Sequence, residues 1–182
     1  DLWFGLQGEF QHRTQNETER FILRDIDSAF SENDPVTSIC LRKNGQLWFG
    51  TYTEGLLCLE NGAFRRITSR DGLIGNRVTA LFESSDETLW VGTRSTGVSS
   101  YRDGHWISYT TTDGLSNYRV LTFGEYPKGT IWAVLEHEGV LCYTPDSDGP
   151  TTCIEEYPLQ IAPNDRGIFS LVGLDCWKKT PR

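Results

Sequence analysis

Apolar and polar residues alternate along this chain in short runs, each closed by a turn signal, and the runs recur at a fixed interval. Val78 to Glu83 alternates and meets the polar turn Ser84-Ser85-Asp86-Glu87. Thr88-Leu89-Trp90-Val91-Gly92-Thr93 follows, then Val98 to Tyr101, the Asp103-Gly104 turn and His105 to Tyr109. This pattern predicts four antiparallel strands joined as a meander, because an Asp-Gly or Asn-Gly pair supplies the positive φ that a tight hairpin needs. The preceding unit repeats the order with Val36 to Leu41, Gln46 to Thr51, Leu56 to Leu59 and Ala63 to Ile67, its hairpins carrying Asn44-Gly45 and Asn61-Gly62.

The interval is 42 residues between Trp48, Trp90 and Trp132, with Trp3 45 residues before Trp48. Val36, Val78 and Val120 fall in register, as do Ile39, Leu81 and Phe123. A period of about 40 to 45 residues with one Trp per unit marks radially repeated four-stranded sheets. The expected fold is therefore all-β, a β-propeller or propeller segment.

The first unit enters at its second strand and continues through Gly8 to Arg13 and Phe21 to Leu23, with Thr14 to Arg20 as a polar connection. The last full unit runs through Tyr118 to Glu125, Thr130 to Leu135, Val140 to Tyr143 and Cys153 to Tyr157. Unit boundaries are expected at 1–30, 31–70, 71–112 and 113–157, with a degraded partial copy at 158–182. No helix is expected anywhere.

Composition narrows the function classes. With 37% hydrophobic and 12% aromatic residues in 182, the chain can bury a core and is not disordered. A net charge of −8 and a pI near 4.9 argue against nucleic acid or an anionic membrane surface as the main partner. No apolar run reaches membrane-span length, and the N-terminus lacks the basic-then-apolar pattern of a signal peptide. The absence of Met and a start inside a repeat are what a piece of a longer protein would show.

Five cysteines, at 40, 58, 142, 153 and 176, contain no CxxC pair. Cys58 and Cys142 share one position two units apart and are expected as small buried residues, while Cys153 and Cys176 are the candidate pair. Asn16-Glu17-Thr18 is a glycosylation sequon.

The linkers Asp71-Gly72-Leu73-Ile74-Gly75-Asn76-Arg77-Val78 and Asp113-Gly114-Leu115-Ser116-Asn117-Tyr118-Arg119-Val120 make the pattern more specific. With Leu-Trp-x-Gly-Thr about twelve residues after each Val, they resemble the two-component regulator propeller repeat. The resemblance covers roughly residues 1 to 143 and implies the extracytoplasmic sensor region of bacterial hybrid histidine kinases, typically a seven-bladed propeller that detects carbohydrate or related ligands. It implies a periplasmic or extracellular location and a non-catalytic sensing role. Ala133-Val134-Leu135 departs from the Gly-Thr step, as do Leu6 and the linker Asn33-Asp34-Pro35-Val36.

The repeated Trp3, Trp48, Trp90 and Trp132 are expected to pack between sheets rather than to stack on a ligand. Gly50 and Gly92 are expected to end a strand where a side chain would clash. Function should instead reside on loop residues that differ between units. In propellers the linker entering each inner strand and the loop between second and third strands share one face. The linkers contribute Arg77, Tyr118 and Arg119; the loops contribute Tyr52, Glu54, Arg94, Ser95, Glu136, His137 and Glu138.

Mixed charge with two tyrosines suits a polar, hydroxyl-rich small molecule or oligosaccharide. Histidines 12, 105 and 137 have no metal-ligand spacing, and Asp146-Ser147-Asp148-Gly149 lacks the remaining ligands of a calcium loop. No phosphate-binding glycine loop and no Gly-x-Ser-x-Gly elbow occurs, so neither cofactor nor catalytic residue is assigned. Two other readings stay open: an assembly module that self-associates to complete a ring and binds protein partners, and a propeller hydrolase or lyase.

Overall fold

The structure, a computed structural model, describes residues 2–113, 115, 119–136 and 140–143 in full and the backbone of residue 139 and of three further strands. The first sheet has three strands in the order β1 (Leu2–Gly5), β2 (Glu9–Arg13) and β3 (Thr18–Ile22). The second contains β4 (Val36–Leu41), β5 (Leu47–Thr51), β6 (Leu56–Glu60) and β7 (Ala63–Ile67). The third contains β8 (Val78–Glu83), β9 (Leu89–Thr93), β10 (Val98–Arg102) and β11 (His105–Tyr109). The fourth contains β12 (Val120–Glu125), β13 (Ile131–Leu135), β14 (Gly139–Tyr143) and β15 (Thr151–Ile154), and β16 (Ile161–Pro163) pairs with β17 (Phe169–Leu171).

Each sheet is an antiparallel meander, and β4, β8 and β12 approach one another along the inner side. This is a propeller architecture built of four-stranded blades. Every residue of β5, β9 and β13 is buried, which explains their continuous apolar runs.

Three hydrophobic clusters lie between consecutive blades, and a fourth, of Trp132, Val134, Val140 and Cys142, lies on β13 and β14 of the fourth blade. Phe10, Leu23 and Phe30 meet Phe49 and Leu57; Trp48, Leu56 and Ile67 meet Leu73, Val78 and Val91; Trp90 and Val98 meet Val120, Ala133 and Leu141. A single blade would leave its apolar face in water, so the blades are stable only as neighbours.

The glycine of each Leu-Trp-x-Gly step is the hollow that lets them approach. A Cβ on Gly5 would come 2.7 Å from Val36 Cγ1, one on Gly50 2.6 Å from Val78 Cγ1, and one on Gly92 2.6 Å from Val120 Cβ and Cγ1. The valine opening each inner strand therefore docks on the second strand of the preceding blade. Val134 occupies the corresponding place in the fourth blade and is itself buried. The threonine that follows closes the loop beyond: Thr51 Oγ1 donates to Gly55 O (3.0 Å) and Thr93 Oγ1 to Gly97 O (2.7 Å).

The Asp-Gly-Leu linkers are explained just as locally. Asp71 accepts from the Thr68 backbone N–H (2.8 Å) and hydroxyl (3.0 Å), Gly72 turns the chain at φ 105°, and Leu73 enters the core. Thr110 and Asp113 repeat these hydrogen bonds at 2.8 and 3.0 Å, and Leu115 is buried.

Several expectations are corrected. Leu23–Ile26 form one turn of helix, α1, with Leu23 fully buried, and two 3-10 turns precede β8 and β12. The polar connection of the first blade is shorter than expected because β3 already begins at Thr18. The outer strand of the fourth blade is Thr151–Ile154 rather than Cys153 to Tyr157. Cys58 is buried and free, its thiol pushed up to about 11 by burial, but Cys142 is disulfide-bonded rather than simply a small buried residue. The Cys153–Cys176 pairing and the Asp146–Gly149 segment fall outside the described residues.

Candidate functional site: a rim of loops at one end of the blades

Because each blade is a meander, its second-to-third-strand loop and the linker to the next blade emerge at one end, and the two hairpins at the other. At the linker end one backbone bond recurs. Tyr52 N donates to Pro35 O (3.1 Å), Arg94 N to Arg77 O (2.9 Å) and Glu136 N to Arg119 O (2.8 Å). The fourth residue after each tryptophan is thus tied to the residue just before its own blade's inner strand. Val78 and Val120 dock on Gly50 and Gly92, so each such pair also stands beside the loop of the preceding blade.

The side chains meet across that boundary. The guanidinium carbons of Arg77 and Arg94 lie 6.0 and 5.5 Å from the centroid of the Tyr52 ring, and Arg94 Nη1 donates to Tyr52 Oη. Arg77 and Arg94 are exposed; Tyr52, Arg119 and Glu136 are half-buried. Arg119 Nε is buried and has no hydrogen-bond partner. The rim therefore reads, from blade to blade, Tyr52 between Arg77 and Arg94, then Arg119, then Glu136.

Other expected site residues are placed differently. Glu54 is tied down by Arg66 Nη1 at 3.0 Å, and Arg66 is shared with Asp27 at 2.8 Å. Ser95 is exposed at the loop tip. Tyr118, His137 and Glu138 lie outside the described residues. Asn76, beside Arg77 in the same linker, is not among the expected site residues and serves the turn, its Oδ1 accepting from Ser69 N at 2.8 Å.

Trp48, Trp90 and Trp132 are buried, with indole N–H groups bonded to Gln46, Ser84 and Tyr126 O respectively. Trp3 is half-buried and stacks on His12 at 4.2 Å. Among the described residues no group of three potential metal ligands forms.

The docking valine and the glycine socket of the Leu-Trp-x-Gly-Thr strand both fall within a known repeat. The family described as Two component regulator propeller matches at residues 30–53 and 72–95, each match spanning a linker, an inner strand and the Leu-Trp-x-Gly-Thr strand. The chain carries two-component regulator propeller repeats. No curated protein matches it.

Among solved structures, the propeller repeats resemble the extracellular domain of BT3049 from B. thetaiotaomicron, assigned as a hybrid two component system. The TM-score is 0.65 at 21% identity, over 82% of this chain and 21% of that one. They also resemble the extracellular domain of BT4673 from the same organism, assigned as a one component system (TM-score 0.65, 20% identity, 93% and 22% covered). A third is PorZ, a surface component of the type-IX secretion system of Porphyromonas gingivalis (TM-score 0.62, 18% identity, 78% and 22% covered). The chain spans about a fifth of the length of these structures, and at such identities the likeness is one of fold.

A feature of the propeller repeats that periodicity did not reveal lies at the hairpin end. Arg42, Gln46, Asp86, Tyr101, Arg102 and Asp103 line a polar cavity of about 280 Å³ between the second and third blades. Its polar groups are largely engaged with one another: Arg42 Nε donates to Glu83 (3.0 Å) and Arg102 Nη1 to Asp86 (2.8 Å). The signal was present in hairpin residues that vary between units, on the face opposite the one singled out.

Proposed function

We propose that the rim of Tyr52, Arg77, Arg94 and Arg119 binds a polar, carbohydrate-like ligand. In this reading the propeller repeats are a non-catalytic sensing segment upstream of signal transduction, on the periplasmic or extracellular side. The observation that carries it is the inter-blade cluster in which two exposed arginines gather on one tyrosine, at positions where the repeat leaves residue identity free. The extracellular domains of like fold, one of them from a hybrid two component system, support the setting, and the disulfide at Cys142 fits an oxidising compartment.

A thermal-shift and glycan-array screen of the soluble chain tests this reading. A hit whose affinity falls about tenfold or more in the Arg77→Ala, Arg119→Ala double variant supports the rim, since each direct charge-assisted contact contributes on that order. Unchanged affinity for a confirmed ligand removes the rim from consideration.

A second reading, assembly through self-association, is favoured by one observation. Among the described residues nothing pairs with the free edge of β1, where Leu2 and Phe4 are exposed.

A further inference from the structure

Resting on the rim as the binding site, we infer that its ligand is an acidic saccharide, one bearing a carboxylate or sulfate group. Pairing of arginine with a carboxylate is common elsewhere in this acidic chain: Arg20 with Glu9, Arg24 with Glu32, Arg42 with Glu83, Arg66 with Asp27 and Glu54, and Arg102 with Asp86. Arg77, Arg94 and Arg119 have no such partner among the described residues, although the chain as a whole carries −8. Arg13, Arg65 and Arg70 also lack one, but each is simply exposed and none is held by an aromatic ring.

The rim is organised rather than merely basic. Tyr52 holds two guanidinium groups against its ring, so the ring is already occupied and a sugar approaching it meets cations before it meets the aromatic face. Arg94 spends one N–H on Tyr52 Oη, while its other N–H groups and those of Arg77 meet no carboxylate among the described residues and are left to donate to a carboxylate or sulfate. Arg119, on the next blade, adds a third cation and a buried Nε–H with nothing to donate to. Glu136, tied to Arg119 O, sets a negative boundary at that end, so an anion is drawn to the Arg77–Arg94–Arg119 side. A neutral saccharide would need none of this.

Isothermal titration of the full chain with trigalacturonate, a sulfated disaccharide that carries no carboxylate, and neutral maltotriose tests the inference. We expect at least one acidic probe to bind about tenfold or more tighter than maltotriose, with affinity falling as salt is raised. Arg77→Ala and Arg119→Ala should each weaken that binding, while Arg77→Lys, which keeps the charge but not the fork, should weaken it less. Which acidic probe binds distinguishes carboxylate from sulfate.

Maltotriose binding as tightly as the acidic probes, and losing affinity in the same variants, would overturn the inference while leaving the rim as the site. Acidic probes that bind with no dependence on Arg77 or Arg119 would overturn both the inference and the rim. Absence of binding by all three would do the same. Unchanged far-ultraviolet circular dichroism of the variants separates lost contacts from lost fold.

Discussion

At the scale of single residues, the most constrained positions are the glycines on which the next blade's valine sits. Gly92→Ala would press a new methyl 2.6 Å from Val120, in a buried interface that cannot yield without moving an inner strand. We expect a loss of about 1–3 kcal/mol in urea unfolding. Gly92→Ala combined with Val120→Ala should recover part of the loss, because the second change vacates the space the first one fills. Additive costs would show that the contact does not limit packing. The same logic makes Leu-Trp-x-Gly-Thr legible from sequence: each letter has one local task, and each task repeats. Glu54 shows the limit, since its engagement by Arg66 depends on where a strand places a side chain, which periodicity does not encode.

At the scale of elements, linkers and hairpins are set by a few hydrogen-bonded carboxylates. Hydrogen bonds from the Thr68 backbone and hydroxyl hold Asp71 below its usual carboxyl range. A folded-state pKa that is depressed contributes stability present above the unfolded value and lost as pH falls through the folded one. Asp71→Asn should therefore cost up to about 1 kcal/mol at neutral pH, and the gap between variant and parent should narrow in melts as the pH is taken below the ordinary carboxyl value of about 3.9.

Between blades, Arg42 and Glu83 form a buried pair, with side chains 7% and 8% exposed, and Glu83 also accepts from Lys43 N at 2.9 Å. Glu83→Ala leaves the guanidinium buried without its main partner, and urea unfolding should register a loss of about 3 kcal/mol. Glu125 repeats the contact on Ser85 N one blade later (2.7 Å), so the carboxylate recurs at the 42-residue interval although the contact itself emerges only from the packing of two blades. The helical turn at Leu23–Ile26 was not, because four residues are too few to show a helical period.

At the scale of the whole molecule, the array was readable because its core is made of identical interfaces, whereas the site was readable only in outline. Register singled out Tyr52, Arg94 and Glu136, but the gathering of Arg77 and Arg94 on Tyr52 arises only when two blades pack. The edge beside β1 belongs to this scale as well. Leu41, exposed at 66%, stands where Glu83 and Glu125 stand in later blades, so the first junction offers an apolar surface instead of a carboxylate clamp. If that surface drives association, light scattering of the 182-residue chain should show mass rising with concentration, and Phe4→Lys should abolish the rise. A strict monomer would rule out assembly between copies.

Val134 gives the array a direction. Each of the three earlier units presents a socket that the next one's valine plugs into; in the fourth the socket is already filled by its own side chain. The glycine–valine joint is thus offered by the first three units and not by the fourth, where a neighbour could not seat a valine in the same way. A single residue, two places after the tryptophan, is therefore enough to tell in a string of such repeats where the coupling continues and where it changes.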